Sequence, residues 1–120
     1  MRVSVDFGFS ASHEVSAPGG PCRGLHGHEY RVRITLDRPF DPGRGLAADY
    51  RELREVFQSA VFAILDHRHL NETMGLAEPT AERLGLWLWE RLRERLPALA
   101  EIGVSETPER WVHYAGESQP

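Results

Sequence analysis

The 120-residue chain contains no lysine, and all 14 of its basic residues are arginine. That absence excludes Schiff-base catalysis and the lysine-bearing phosphate loop, whereas the forked donors of arginine suit a phosphate-bearing ligand. A single cysteine, Cys22, cannot close an internal disulfide, so its thiol can pack, ligate or react. No apolar run approaches the ~20 residues needed to span a bilayer. The first residues alternate apolar and polar without the continuous apolar stretch of a secretory signal, so the expected location is cytoplasmic. A net charge of -4 argues against a general nucleic-acid binder. Repeats, low-complexity tracts and dividing linkers are also missing, and residues 1–120 are expected to form one domain.

What the chain does have is alternation. Val3, Val5, Phe7, Phe9 and Ala11 fall on odd numbers, a period of two that predicts a strand with one buried face, and His13 continues the parity. The breaker-rich "SAPGGPCRG" follows. A second alternating run reads His26, His28, Tyr30, Val32, Ile34, Leu36 and ends in the turn-rich "DRPFDPGRG". Asp49 with Glu52 forms a capping-box-like helix start, and Leu53, Val56, Phe57, Ala60, Val61, Ile64 and Leu65 mark the buried stripe of a helix running to about Leu65. "DHRHLNETMGLAEP" reads as a polar connection. Thr80 then caps a helix carrying Leu84, Trp87, Leu88, Leu92 and Leu96 and stopping at Pro97. Two short strands follow, one with Ala100, Ile102, Val104 and Glu106 on one face and the other "RWVHY". The expected fold class is α+β: a four-stranded antiparallel sheet with two helices packed on one face, in the order ββααββ.

The histidines carry the chemistry. His26 and His28, two apart on a strand, project from one face. If Val32, Ile34 and Leu36 face the core, so do they, and so does His13 by the parity of its own strand. A lone inward histidine is usually satisfied by hydrogen bonds. Three on converging faces point to a metal, and three neutral nitrogen ligands with an open position are a usual arrangement for catalytic zinc. Cys22 is either a fourth ligand closing a structural site or a reactive thiol whose thiolate is favoured by nearby cations. Asp66 and His67, just past the first helix, suit a carboxylate-oriented proton relay, though helix ends also carry such pairs for capping. Glu106 should point inward from a strand end, where a carboxylate needs an arginine or an amide-bearing ligand.

"FSASHEV", "CRGLHGHEYRVRI", "GLAADY", "LDHRHLNE", "PTAERL" and "VSET" occur in register from Phe7 to about Thr107. Together they resemble the 6-pyruvoyltetrahydropterin and 6-carboxytetrahydropterin synthase family. The three residues between Cys22 and His26 are similar to the spacing in the bacterial branch of the queuosine pathway. The resemblance implies a tunnelling fold and a homohexamer, a dimer of trimers with active sites between subunits. It implies zinc ligands at His13, His26 and His28, and a catalytic thiol at Cys22 that stays off the metal. Asp66 and His67 match a relay supplied by a neighbouring subunit, Glu106 the carboxylate that anchors a pterin ring, and Thr80 a position near that ring. The implied reaction converts 7,8-dihydroneopterin triphosphate to 6-carboxytetrahydropterin, acetaldehyde and triphosphate with Zn2+ and no redox cofactor. Arg83 and Ser105 depart from the family's usual asparagine and lysine at those positions. Other readings of the same residues are a 6-pyruvoyl-forming enzyme, a non-catalytic zinc-stabilised assembly module, and a zinc hydrolase on another fold.

Overall fold

The computed structural model describes residues 1–15 and 24–117, with main chain alone for 24–26. Two strands of 14 residues dominate it: β1 (Arg2–Val15) and β2 (Gly24–Asp37). They pair antiparallel over their whole length, from Arg2 opposite Asp37 to Val15 opposite Gly24. The alternation in the sequence maps onto the two faces. Phe7, Phe9, Ala11 and His13 are buried on one, beside Tyr30, Val32, Ile34 and Leu36 from β2. Ser4, Asp6, Ser10, Arg31 and Arg33 take the other, more open face.

The helices cover the apolar face. Asp49 caps α1 (Tyr50–Phe57) by accepting the Arg51 amide at 2.9 Å. The expected capping box is half formed, because Glu52 turns away to hold Arg38 through two bonds of 2.9 and 3.0 Å. A π-helical turn at Gln58–Phe62 then leads into α2 (Ala63–Leu65). In an unbroken α-helix Leu65 would stand about a third of a turn away from Leu53. Wider i to i+5 bonding underwinds the rod, and both leucines are fully buried. Phe57 stacks on Phe7 of the sheet, centroids 4.7 Å apart.

Two expectations need correction here. The segment after Asp66 is not a plain connection: it contains β3 (Arg68–His69) and a short helix α3 (Leu70–Met74) anchored by the fully buried Leu70. The sheet is therefore five-stranded and mixed, in the order β3-β1-β2-β4-β5, and not four-stranded and antiparallel, and the chain order is not ββααββ. β3 lies parallel to β1, with Ala11 opposite Arg68 and Ser12 opposite His69. Two polar residues carry no period of their own; only the open edge of β1 makes them a strand. The second long helix, α4 (Ala81–Arg93), ends earlier than the expected Pro97, although Leu96 still bonds back to Leu92 at 2.8 Å. β4 (Leu99–Thr107) and β5 (Arg110–Tyr114) follow the expected positions.

The far edge of the sheet is locked to α4 by a close backbone approach. Gly116 has φ +79°, and a Cβ there would come within 2.5 Å of the Trp89 ring, which stands edge-on to Tyr114. Gly116→Ala should lower unfolding free energy by about 1–3 kcal/mol, read as a shift of the urea midpoint at unchanged slope.

Candidate functional site

The hairpin register builds the site. His13 stands opposite His26, and His28 opposite Ala11, so His13 and His28 are diagonal neighbours on the inner face. Their rings meet edge to face, centroids 5.0 Å apart. Glu106, near the end of β4, joins them from the other side of β2: its Oε2 lies 3.7 Å from His28 Nε2. One potential ligand atom from each of His13, His28 and Glu106 falls within 4.8 Å of the others.

His13 is 1% exposed, and its orientation is set by two groups. Nδ1 lies 3.0 Å from the Pro79 carbonyl and 3.2 Å from the Tyr30 hydroxyl. A carbonyl can only accept, so the contact with Pro79 puts the proton on Nδ1 and the lone pair on Nε2. Metal-ligating histidines are commonly fixed this way, by a hydrogen bond from the other ring nitrogen. A pair of imidazoles and a carboxylate on a largely buried face is a donor set suited to a divalent transition metal.

The end of β1 is held by an amide that acts as a short strand. Asn71 accepts the Glu14 amide at 2.8 Å and donates to the Glu14 carbonyl at 2.9 Å, with a further bond to Ala77. This ties the segment leading to Pro79 beside His13. Thr80, the next residue, caps α4 by accepting the Arg83 amide at 3.2 Å.

Asp66 and His67 are brought together at the edge of β1, outside the group of three. Asp66 Oδ1 accepts the Ser10 amide at 3.0 Å and Oδ2 meets His67 Nδ1 at 2.6 Å, while the His67 amide donates to Ser10 O at 2.6 Å. The Ser10 amide first, then His67, hold the Asp66 carboxyl below the usual aspartate range against an opposing effect of burial. His67 has φ 57°, and its side chain is 80% exposed. It lines a hollow of about 620 Å³ with Ser10, Ser12, His28, Glu29 and His69.

The family profile described as 6-pyruvoyl tetrahydropterin synthase matches residues 2–117. The chain belongs to this family. It is 36% identical over 110 residues to the 6-carboxy-5,6,7,8-tetrahydropterin synthase of Synechocystis, covering 88% of this chain and 85% of that one. It is 30% identical to the 6-pyruvoyl tetrahydrobiopterin synthase of Drosophila melanogaster, over 90% of this chain and 75% of the fly protein. The fold matches the structure of 6-pyruvoyl tetrahydropterin synthase from Caenorhabditis elegans, with a TM-score of 0.85, 23% identity, and coverage of 98% and 96% of the two chains.

Of the residues singled out by sequence, the fold joins His13, His28 and Glu106 in one group and Asp66 with His67 in another. His26 faces His13 through its main chain. Cys22 lies outside the described residues. Sequence reasoning missed Tyr30 and Pro79 as the groups that orient His13. A signal for Tyr30 was present, since a hydroxyl inside an apolar period-two run must find a partner. Pro79 carries none, because its contribution is a backbone carbonyl 66 residues away.

Two measurements test this geometry. Left-handed backbone at a non-glycine residue is strained, so His67→Gly should be more stable than His67→Ala by about 1 kcal/mol in thermal unfolding. Asp66 has a folded-state pKa below its unfolded one, so it stabilises the fold above the unfolded value, and that contribution fades as pH falls through the folded value. The stability curves of the wild type and Asp66→Asn should accordingly lie apart at neutral pH and converge on the acid limb.

Proposed function

We propose that the protein is a zinc-dependent 6-carboxy-5,6,7,8-tetrahydropterin synthase. It would convert 7,8-dihydroneopterin triphosphate to 6-carboxytetrahydropterin, acetaldehyde and triphosphate, in 7-deazaguanine (queuosine) biosynthesis. The observation that carries this reading is the convergence of His13, His28 and Glu106 on one inner-face point in a chain so similar to the Synechocystis synthase. The chemistry is redox-neutral overall: it consumes one water and otherwise asks only for proton movement and bond cleavage.

His13, His28 and the adjacent His26 would hold the ion, with the Pro79 carbonyl accepting from His13 Nδ1–H and so leaving the lone pair on Nε2. A bound zinc supplies Lewis acidity that makes substrate hydroxyl protons easier to remove. Glu106, left uncoordinated, can accept two parallel hydrogen bonds from the 2-amino group and ring N–H of a pterin, and so anchor the ring. Thr80, next to Pro79, would lie near that ring. Cys22 thiolate moves one proton, kept off the metal so that it stays basic. His67, oriented through Nδ1 by Asp66, exchanges another at Nε2. The exposure of His67 and its place outside the group of three support a site completed between subunits, in which this pair serves a neighbouring copy in a homohexamer.

The 3.7 Å separation of Glu106 and His28 favours a second reading, in which Glu106 is itself a ligand beside the two histidines. Metal stoichiometry separates the two. With Glu106 as ring anchor, Glu106→Gln retains one zinc per chain and loses pterin affinity, whereas His26→Ala loses the metal. With Glu106 as ligand, Glu106→Gln is the variant depleted of zinc.

For the reaction, mass spectrometry of zinc-loaded protein with the triphosphate substrate should find 6-carboxytetrahydropterin and acetaldehyde. A 6-pyruvoyl product without acetaldehyde would reassign the chain to the sister activity. Cys22→Ala should keep its metal and lose roughly 10²–10⁴-fold in turnover; a chelator should abolish turnover. Unchanged turnover in Cys22→Ala would remove the thiol from the mechanism.

A further inference from the structure

We propose that Arg91, on α4, is a positioning residue for the Asp66/His67 pair, acting through the π turn at Gln58–Phe62. The guanidinium donates from Nε to the Ala60 carbonyl at 3.1 Å, in the middle of that turn. Its planar head lies 4.7 Å over the Trp87 ring one turn earlier on the same helix, which limits where the donor can go. Arg95, a turn further on, reaches the Ser59 hydroxyl of the same segment. α4 and the turn that follows it thus grip the π turn at two successive residues, Ala60 through Arg91 and Ser59 through Arg95.

A π turn is a local underwinding of an otherwise α-helical rod, and such turns need specific partners for the backbone groups they displace. Here the partner is a side chain from another helix. Only Ala63–Leu65 separates the turn from Asp66, and Leu65 is fully buried, so the short segment transmits a rotation without absorbing it. Asp66 closes the rod by bonding its amide to Phe62 O at 3.0 Å, then leaves in extended conformation with ψ 130°. Its carboxylate must meet the Ser10 amide on one side and His67 on the other. The direction in which the rod ends therefore decides whether both bonds can form. With the turn rewound, Asp66 would point away from β1, and His67 would lose both its orientation and the backbone contact that accompanies its positive φ.

The catalytic consequence rests on the proposed function; the structural part does not. Arg91→Met keeps an apolar stem against Trp87 and removes the donor. In the zinc-loaded full chain, the Ser10 amide should exchange with solvent about ten-fold faster than in the wild type, with neighbouring β1 amides unchanged. Turnover of 7,8-dihydroneopterin triphosphate should fall roughly ten-fold or more in kcat, with KM and zinc content unaltered. Arg91→Lys, which restores a donor on a stem of similar reach, should recover part of both. Wild-type exchange at Ser10 in Arg91→Met overturns the proposal, as does faster exchange spread evenly along β1. If methionine prevents folding, Arg91→Gln, too short to reach Ala60, carries the same expectations. If the wild type itself does not turn over the pterin, the proposed function fails, and Ser10 exchange still decides the role of Arg91.

Discussion

The pairing of β1 with β2 is the constraint on which the rest depends. Because strand side chains alternate, a slip of one residue would send every inward group on one strand to the open face. The observed register keeps Phe7, Phe9 and Ala11 in the same layer as Tyr30, Val32 and Ile34, and that apolar layer is what specifies it. The histidines are carried along. His13 and His28 meet because the hydrophobic residues further down the hairpin leave no alternative, so the fold spends apolar burial to place polar chemistry.

Buried polar groups on such a face need partners, and the structure recruits them from distant parts of the chain. Tyr30 shares the strand face of His28 and reaches His13 through its hydroxyl. The Pro79 carbonyl arrives from the segment that leads into α4, which Asn71 ties to Glu14. Thr80 then caps the helix, so one short segment both starts α4 and orients His13. This coupling explains why an α+β layer suits the site: the sheet presents His13, His28 and Glu106, and the segment entering α4 supplies the Pro79 carbonyl that fixes the His13 tautomer.

The Asp66/His67 pair is built differently. Asp66 and His67 sit where a helix ends against the outer edge of β1, bonded to Ser10, and the two-residue β3 continues the pairing along that edge. Their geometry comes from a helix end, a π turn and a strained backbone, three irregular features in sequence. Irregularity of this kind is costly unless surrounding structure over-determines it, and here Arg91 of α4 and Arg95 just beyond it bond to the π turn. In a homohexamer of the kind proposed above, the exposed His67 of one copy would face the group of His13, His28 and Glu106 in the next.

Much of this was legible in the sequence wherever a period or a cap states a local rule. Alternation identified β1, β2 and the inward parity of His13, His28 and Glu106; the three-and-four spacing identified both long helices; Asp49 and Thr80 marked their starts. The motifs in register point to the family by themselves. What the sequence by itself could not determine are features with no period of their own. β3 exists only because β1 offers an edge, Glu52 abandons the capping box because Arg38 is within reach, and the rod underwinds because Leu53 and Leu65 must share a buried face. Tertiary structure decided these because each depends on a partner far away in the chain, and local composition carries no information about where that partner will be.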